Sequence, residues 1–138
     1  MDGIFEKIDT YKGYKYAIWL NTRAGYRCGY VFIPEDSCIY NMFFRDIDIT
    51  YVELTYSGKL KDINGWCIGW DHNHLWDGTD EEAIIQHNQG KTEDELYEMI
   101  EYARSFHDYG GYSPVYSCSD VEKECFEVIN EVIHLEGI

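Results

Sequence analysis

The hydrophobic pattern changes its period near Asp77, and this change constrains the fold more than any other feature of the sequence. Through about the first seventy residues apolar side chains alternate with polar ones, and turn residues separate the runs. This alternation is typical of β-strands. After Asp77 apolar residues recur at intervals of three and four, as they do along one face of an α-helix. A group of strands followed by helices predicts an α+β fold.

Five strands are predicted in the N-terminal half of the chain. Their connections are too short for parallel crossovers, which need a dozen or more residues, so neighbouring strands are expected to pair antiparallel. The dipeptide Asn64-Gly65 before the last strand favours a tight turn. The predicted strands are Ile4–Asp9, Tyr14–Leu20, Tyr26–Ile33, Ile47–Tyr56 and Trp66–Trp70.

Two or three helices are predicted in the C-terminal half. Three sequences have the form of a capping box, in which a Ser or Thr begins a helix and a Glu follows three residues later. These are Thr79/Glu82, Thr92/Glu95 and Ser119/Glu122. The last helix carries an apolar stripe that should pack on the sheet: Val121, Cys125, Val128, Val132 and Leu135. No repeat or linker interrupts the chain, so residues 1–138 are predicted to form a single α+β domain.

The distribution of charge is the second constraint. The chain carries a net charge of −15, which disfavours binding to phosphate backbones and to anionic membranes. Residues 1–70 contain 8 basic and 9 acidic side chains, whereas residues 71–138 contain 3 basic and 17 acidic ones. The acidic half is interpreted either as a solubilising surface or as a docking surface for a basic protein partner.

The cysteines indicate a reducing environment. Five cysteines without a Cys-x-x-Cys pair, and no charged-plus-apolar leader sequence, are expected of a reduced, intracellular protein. No apolar run approaches the 18 or so residues that a membrane span needs. Cys125 is expected to be a buried apolar residue, and Cys28 lies in a strand expected to be half buried, where a thiol is usually inert.

One polar cluster stands out as a candidate site. The segment Asp71-His72-Asn73-His74-Leu75-Trp76-Asp77 directly follows the last predicted strand. Imidazole nitrogens and carboxylate oxygens are suitable zinc ligands, and four of them would complete a tetrahedral site. Glu53 is the candidate ligand from a neighbouring strand. The alternative interpretation is a polar loop in which the histidines are hydrogen-bonded.

Other chemistry has weaker support. The sequence contains neither a P-loop nor a dinucleotide-binding glycine motif, and no pair of carboxylates is distinguished by its surroundings. A site for a small anionic ligand would require Arg23, Arg27 and Arg45 to converge. The 13 tyrosines are consistent with an interaction surface or with an ordinary amphipathic sheet.

Several segments resemble a group of small proteins from phages and mobile elements. The matching segments cover roughly residues 26–77, and they are Tyr26-Arg27-Cys28-Gly29-Tyr30-Val31 followed by Pro34, Leu54-Thr55-Tyr56-Ser57-Gly58, and Trp66-x-x-Gly69-Trp70-Asp71-x-x-His74-x-x-Asp77. Together with the small size and the acidity of the chain, these segments resemble a zinc-containing type II anti-CRISPR protein.

The resemblance implies a set of metal ligands. It places zinc ligands at Asp71, His74 and Asp77, and His72 is an additional local candidate. The related proteins often have a histidine followed by glycines before the LTYSG-like segment, where this chain reads Tyr51-Val52-Glu53. Glu53 is therefore expected to replace that ligand, or the site is weaker. At most four of Glu53, Asp71, His72, His74 and Asp77 are expected to bind one zinc ion.

The resemblance also implies a function. We expect a phage-encoded, zinc-binding inhibitor in the host cytoplasm that binds a type II CRISPR effector nuclease directly, without catalysis. Such nucleases carry basic channels for nucleic acid, so a strongly acidic half-domain has a plausible target; no direct contact with nucleic acid or membrane is expected. The alternatives are a small metal-dependent hydrolase, in which zinc keeps an open position for water, and a small-ligand-binding anti-defence protein.

Overall fold

A computed structural model describes residues 3–74, 77–105 and 113–137. It confirms the predicted α+β class, because a five-stranded antiparallel sheet in the N-terminal part packs against a long C-terminal helix. The strands are β1 (Gly3–Tyr11), β2 (Tyr14–Asn21), β3 (Arg27–Phe32), β4 (Tyr56–Lys59) and β5 (Trp66–Asp71). The helices are α1 (Glu81–Gln86), α2 (Glu93–Arg104) and α3 (Cys118–Glu136).

The strands lie in the order β1-β2-β3-β5-β4, and each neighbouring pair is antiparallel. Lys12 and Gly13, which join β1 to β2, both have positive φ angles of 50° and 84°. Two such residues form a turn whose twist matches that of the paired strands. Strand β5 lies between β3 and the edge strand β4, and the residues that follow it contact β3 and α3.

The predicted strand Ile47–Tyr56 is wrong for most of its length. Between β3 and β4 the chain contains one short 3₁₀ helix, Phe44–Asp46, and no strand. Ile47 and Leu54 are nevertheless buried in the main core, so the apolar pattern reflects packing rather than strand pairing. The Glu131 carboxylate on α3 accepts hydrogen bonds from the backbone N–H groups of Thr50 and Tyr51, which satisfies donors that a partner strand would otherwise bind.

The predicted apolar stripe of the last helix is confirmed. Val121, Cys125, Val128 and Val132 are fully buried, and α3 contacts β1, β2 and β3. This packing places the main hydrophobic core between α3 and one face of the sheet.

Of the three predicted capping boxes, only Thr92/Glu95 is confirmed. Helix α1 is capped by Asp80 rather than Thr79, and α3 begins with a box formed by Ser117 and Asp120 rather than Ser119 and Glu122. Glu122 instead accepts a hydrogen bond from the Tyr16 hydroxyl and pairs with Lys7.

Two further expectations concern the cysteines and the membrane. Cys28, Cys67 and Cys125 are buried, whereas Cys38 is exposed, which confirms the expected burial of Cys125. The strand that contains Cys28 was expected to be half buried, but five of its six residues are buried. In the described part of the chain no helix combines the length and the apolar character that a membrane crossing requires.

Arg27 is a buried charge that joins several parts of the fold. It is 5% exposed. Its Nε lies 2.6 Å from Glu6 Oε1 on β1, and its Nη1 lies 2.8 Å from Asp80 Oδ2 at the start of α1. The same Nη1 donates a hydrogen bond of 2.9 Å to the carbonyl oxygen of Tyr116. Arg27 therefore connects the sheet, the first helix and the segment before α3.

Replacing Arg27 with methionine should strongly destabilise the protein. The substitution leaves Glu6 and Asp80 close together without their shared cation, and such a loss costs about 3 kcal/mol. Urea denaturation of Arg27→Met beside Arg45→Met measures the effect. Arg45 is exposed, so its substitution should change the free energy of unfolding by less than about 0.5 kcal/mol. Equal stabilities of the two variants would contradict the structural role of Arg27.

Candidate functional site

A cavity of about 230 Å³ lies where the residues after β5 approach α3. All five sequence-predicted ligand residues line it, although they come from two separate segments of the chain. They are Glu53, Asp71, His72, His74 and Asp77. The remaining lining residues are Tyr51, Val52, Trp70, Tyr116 and Glu124.

Trp70 forms one wall of the cavity, and a glycine on the neighbouring strand makes room for it. A Cβ atom at Gly29 would lie 2.4 Å from Cζ2 of the Trp70 ring, so any larger residue at position 29 would displace the indole. In this position the Trp70 Nε1–H donates a hydrogen bond of 3.0 Å to Glu124 Oε1 on α3. The close approach at Gly29 therefore determines where β5 meets α3.

His72 is held by residues from three other parts of the chain. Its Nε2 lies 2.7 Å from Glu124 Oε1, and its ring stacks on that of Tyr116 with a centroid distance of 3.7 Å and an interplanar angle of 10°. Its backbone N–H donates to the carbonyl oxygen of Arg27. The side chains of His72 and Glu124 are only 13% and 15% exposed, so solvent competes little for this hydrogen bond.

His74 and Asp77 form a second histidine–carboxylate pair. Asp77 is 1% exposed. Its Oδ2 accepts a hydrogen bond of 2.9 Å from the backbone N–H of His74 and lies 2.8 Å from Nδ1 of the same residue. This pair closes the turn after β5. Leu75 and Trp76, which belong to the predicted polar segment, lie outside the described residues.

Asp71 and Glu53 line the cavity from two different segments of the chain. Asp71 Oδ1 accepts a hydrogen bond from the Asn73 backbone N–H, and its Oδ2 accepts one from the Thr55 hydroxyl. Glu53 is exposed and belongs to the segment before β4. That segment is fixed by Glu131, whose Oε1 lies 2.7 Å from Thr50 Oγ1 and whose Oε2 lies 3.0 Å from the Tyr51 nitrogen.

The types of side chain in the cavity suit zinc, but the structure does not assemble them into a metal centre. Two imidazoles and several carboxylates are the donors that zinc prefers. Among residues 3–74, 77–105 and 113–137, however, no three His, Cys, Asp or Glu side chains are arranged to hold a metal ion. Each histidine has one nitrogen bonded to a carboxylate instead. Metal binding would therefore require side-chain movement.

The other candidate chemistry is not assembled. Arg27 is buried with Glu6 and Asp80, while Arg23 and Arg45 line two different cavities, so the three arginines do not converge on an anion.

Burial, with a smaller contribution from the charge of Asp71, raises the pKa of the Cys28 thiol to about 12. A thiol with this pKa is protonated at neutral pH and is a poor nucleophile.

Five residues that line the cavity were not predicted as site residues from the sequence: Tyr51, Val52, Trp70, Tyr116 and Glu124. Glu124 directly precedes Cys125 of the apolar stripe and lies seven residues, or two helical turns, before Glu131. This spacing places both glutamates on one side of α3, at the border of its buried face. The spacing is a usable signal for Glu124, but nothing in the local sequence distinguishes Tyr116 from the other tyrosines.

Comparisons with known proteins give no assignment of the chain. No family model, no curated protein and no solved structure matches it.

Glu131→Gln should lower the stability of the protein at neutral pH. Burial raises the pKa of Glu131, but hydrogen bonds from Thr50 and Tyr51 outweigh burial and lower the pKa below its ordinary value of 4.5. The ionised carboxylate therefore stabilises the fold fully above about pH 4.5, and this contribution is lost as the pH falls through the folded-state pKa. At pH 7 we expect a loss of about 1 kcal/mol.

Urea denaturation between pH 7 and pH 3 measures this effect. The difference between wild type and Glu131→Gln should shrink toward acid pH, whereas Glu127→Gln, an exposed residue on the same helix, should match wild type throughout. A difference that stays constant with pH would show that the carboxylate charge is not involved.

Proposed function

We propose that the chain is a phage-encoded inhibitor of a type II CRISPR RNA-guided nuclease. It acts in the host cytoplasm by binding the nuclease directly, and it carries out no catalysis. The observation that carries this proposal is the segregation of charge, with 17 acidic and 3 basic side chains in residues 71–138. The segments within residues 26–77 resemble those of a type II anti-CRISPR protein, and this resemblance is the reason for proposing a CRISPR nuclease as the partner.

Helix α2 is the most acidic surface element. Its five acidic side chains are all exposed, and its one basic residue is Arg104. Arg104 pairs with Glu81 of α1 and, at 3.4 Å, with Glu101. The acidic residues of α2 are Glu93, Asp94, Glu95, Glu98 and Glu101. With four more acidic than basic groups, α2 produces a local negative potential that attracts a basic protein surface.

An exposed tyrosine lies among these acidic residues. Tyr97 is 66% exposed, and its neighbours Asp94 and Glu98 are also exposed. Tyrosine is enriched among the residues that contribute most to protein–protein binding, while surrounding charges steer the approach and determine the orientation. A nucleic-acid channel rich in Lys and Arg provides the complementary charge. The inhibitor would then compete with nucleic acid or block a movement that cleavage requires.

Zinc is the proposed cofactor, with a structural role. At most four of Glu53, Asp71, His72, His74 and Asp77 would hold it, and all five line the same cavity. A bound ion would connect the turn after β5 with the segment before β4. The binding surface on α2 contributes none of the cavity-lining residues, so the proposed inhibition does not depend on chemistry at the metal.

A metal-dependent hydrolase is the second candidate. It is favoured by the cavity itself, because two histidine–carboxylate pairs border a space of about 230 Å³ that could admit a small substrate. In this candidate zinc would activate a water molecule. Zinc-supplemented protein that cleaves phosphodiester or ester substrates, with activity lost in His74→Ala, would favour the hydrolase over the inhibitor.

Removing charge from α2 should weaken binding to the nuclease. We expect Glu93→Gln, Asp94→Asn, Glu98→Gln and Glu101→Gln in combination to lower the affinity for a guide-loaded type II nuclease by about tenfold or more, since several complementary charges are lost at once. Biolayer interferometry at low and high salt measures this, and the wild-type affinity should also fall steeply as salt rises.

A matched control separates this effect from that of total charge. Four of the exposed acidic residues outside α2 serve as the control, because their combined neutralisation removes the same net charge: Glu35, Asp36, Asp46 and Asp48. The control variant should keep most of the affinity. Equal losses of affinity in both variants would contradict docking through α2. The proposed function itself would be contradicted if the protein formed no complex with any of a panel of type II nucleases and inhibited cleavage by none of them.

A further inference from the structure

We propose that Asp77 and Glu124 are positioning residues that hold the two cavity histidines in opposite tautomers. His74 would carry its proton on Nδ1, and His72 would carry its proton on Nε2. The assignment rests on hydrogen bonds within the protein. Its consequence for metal binding rests on the zinc site included in the proposed function.

The tautomer of His74 follows from the second hydrogen bond to the same oxygen atom. Asp77 Oδ2 lies 2.9 Å from the backbone nitrogen of His74, which can only donate. The oxygen is therefore an acceptor, and His74 Nδ1 at 2.8 Å must also donate to it. A neutral imidazole carries a single N–H, so the lone pair lies on Nε2. Histidine in water favours the other tautomer, which makes this a specific effect of Asp77.

The same argument gives the opposite result for His72. Glu124 Oε1 lies 3.0 Å from Trp70 Nε1, and an indole nitrogen can only donate. His72 Nε2, at 2.7 Å from the same oxygen, therefore also donates, and the lone pair lies on Nδ1. Stacking of the His72 ring on Tyr116 at 3.7 Å opposes rotation of the ring away from Glu124.

These tautomers divide the cavity residues into two roles. A histidine that binds a metal usually donates its other N–H to a carboxylate, which fixes the ring and makes the ligating nitrogen more basic. Asp77 and Glu124 occupy that position relative to His74 and His72. In the proposed zinc site, Asp77 would then orient His74 instead of binding the ion. Glu53, Asp71, His72 and His74 would hold the zinc after side-chain movement, since the described residues are not arranged around an ion.

Long-range ¹H–¹⁵N correlation spectra of the imidazole rings test the assignment. The measurement uses ¹⁵N-labelled protein of residues 1–138, treated with chelator, at a pH where each ring is neutral. We expect His74 to be the Nδ1–H form and His72 the Nε2–H form. The exposed His87 and His134 report the mixture found in water. A wild-type His74 in the Nε2–H form would overturn the proposal.

Variants test the role of each carboxylate. Glu124→Ala should shift His72 toward the mixture seen at His87 and His134, whereas Glu124→Gln, which retains an acceptor oxygen, should preserve the Nε2–H form. Asp77→Ala should release His74 in the same way. Glu127→Gln, an exposed position on α3, should leave both tautomers unchanged. If Asp77→Ala does not fold, the wild-type spectrum and the Glu124 variants still decide the assignment.

Zinc affinity separates this proposal from the zinc site on which it builds. In competition with a chromophoric chelator, Glu124→Ala should bind zinc about 10–100-fold more weakly than wild type, and Glu124→Gln and Glu127→Gln should bind nearly normally. Wild type with the stated tautomers but no zinc affinity would refute the zinc site and leave the positioning roles intact. Unchanged zinc affinity in Glu124→Ala, with zinc bound by wild type, would overturn the proposed role of Glu124.

Discussion

The buried charge of Arg27 is the interaction on which the rest of the structure depends. A guanidinium that is 5% exposed requires carboxylates and carbonyl oxygens around it, and this chain supplies them from β1, from the start of α1 and from Tyr116. The backbone carbonyl of Arg27 also accepts the N–H of His72. Arg27 therefore contacts Tyr116 through its charged side chain and the turn after β5 through its backbone, and the candidate site lies where these two segments meet.

Helix α3 connects this arrangement to the rest of the cavity. Glu124 binds Trp70 and His72, while Glu131, two turns later, binds Thr50 and Tyr51. The acidic residues of the C-terminal half consequently have two different uses. Those of α3 that face the sheet or the cavity bind donors within the protein, whereas those of α2 are exposed. The negative surface available to a partner is therefore concentrated on α2, although α3 contains six acidic residues and α2 only five.

The sequence predicted the class of the fold, four of the five strands and the buried stripe of α3, because each depends on hydrophobic periodicity along one segment. Periodicity failed at Ile47–Tyr56, where Ile47 and Leu54 are buried in an irregular segment whose N–H groups are satisfied by Glu131. For the site, the sequence grouped Asp71, His72, His74 and Asp77 in one polar segment and added Glu53 as the one acid of an apolar run. All five residues line one cavity, and their role as metal ligands stays a prediction. It could not supply Glu124 or Tyr116, because their contacts depend on how α3 and the preceding segment pack against β5.

The central proposal is that the acidic surface of α2 binds a type II CRISPR nuclease. Hydrogen–deuterium exchange of the chain, alone and in complex with a guide-loaded type II nuclease, tests this claim most directly. The account predicts that binding slows exchange in peptides from residues 81–104, with little change in β1 and β2. A complex that leaves exchange in residues 81–104 unchanged and protects only the residues around the cavity would contradict the account.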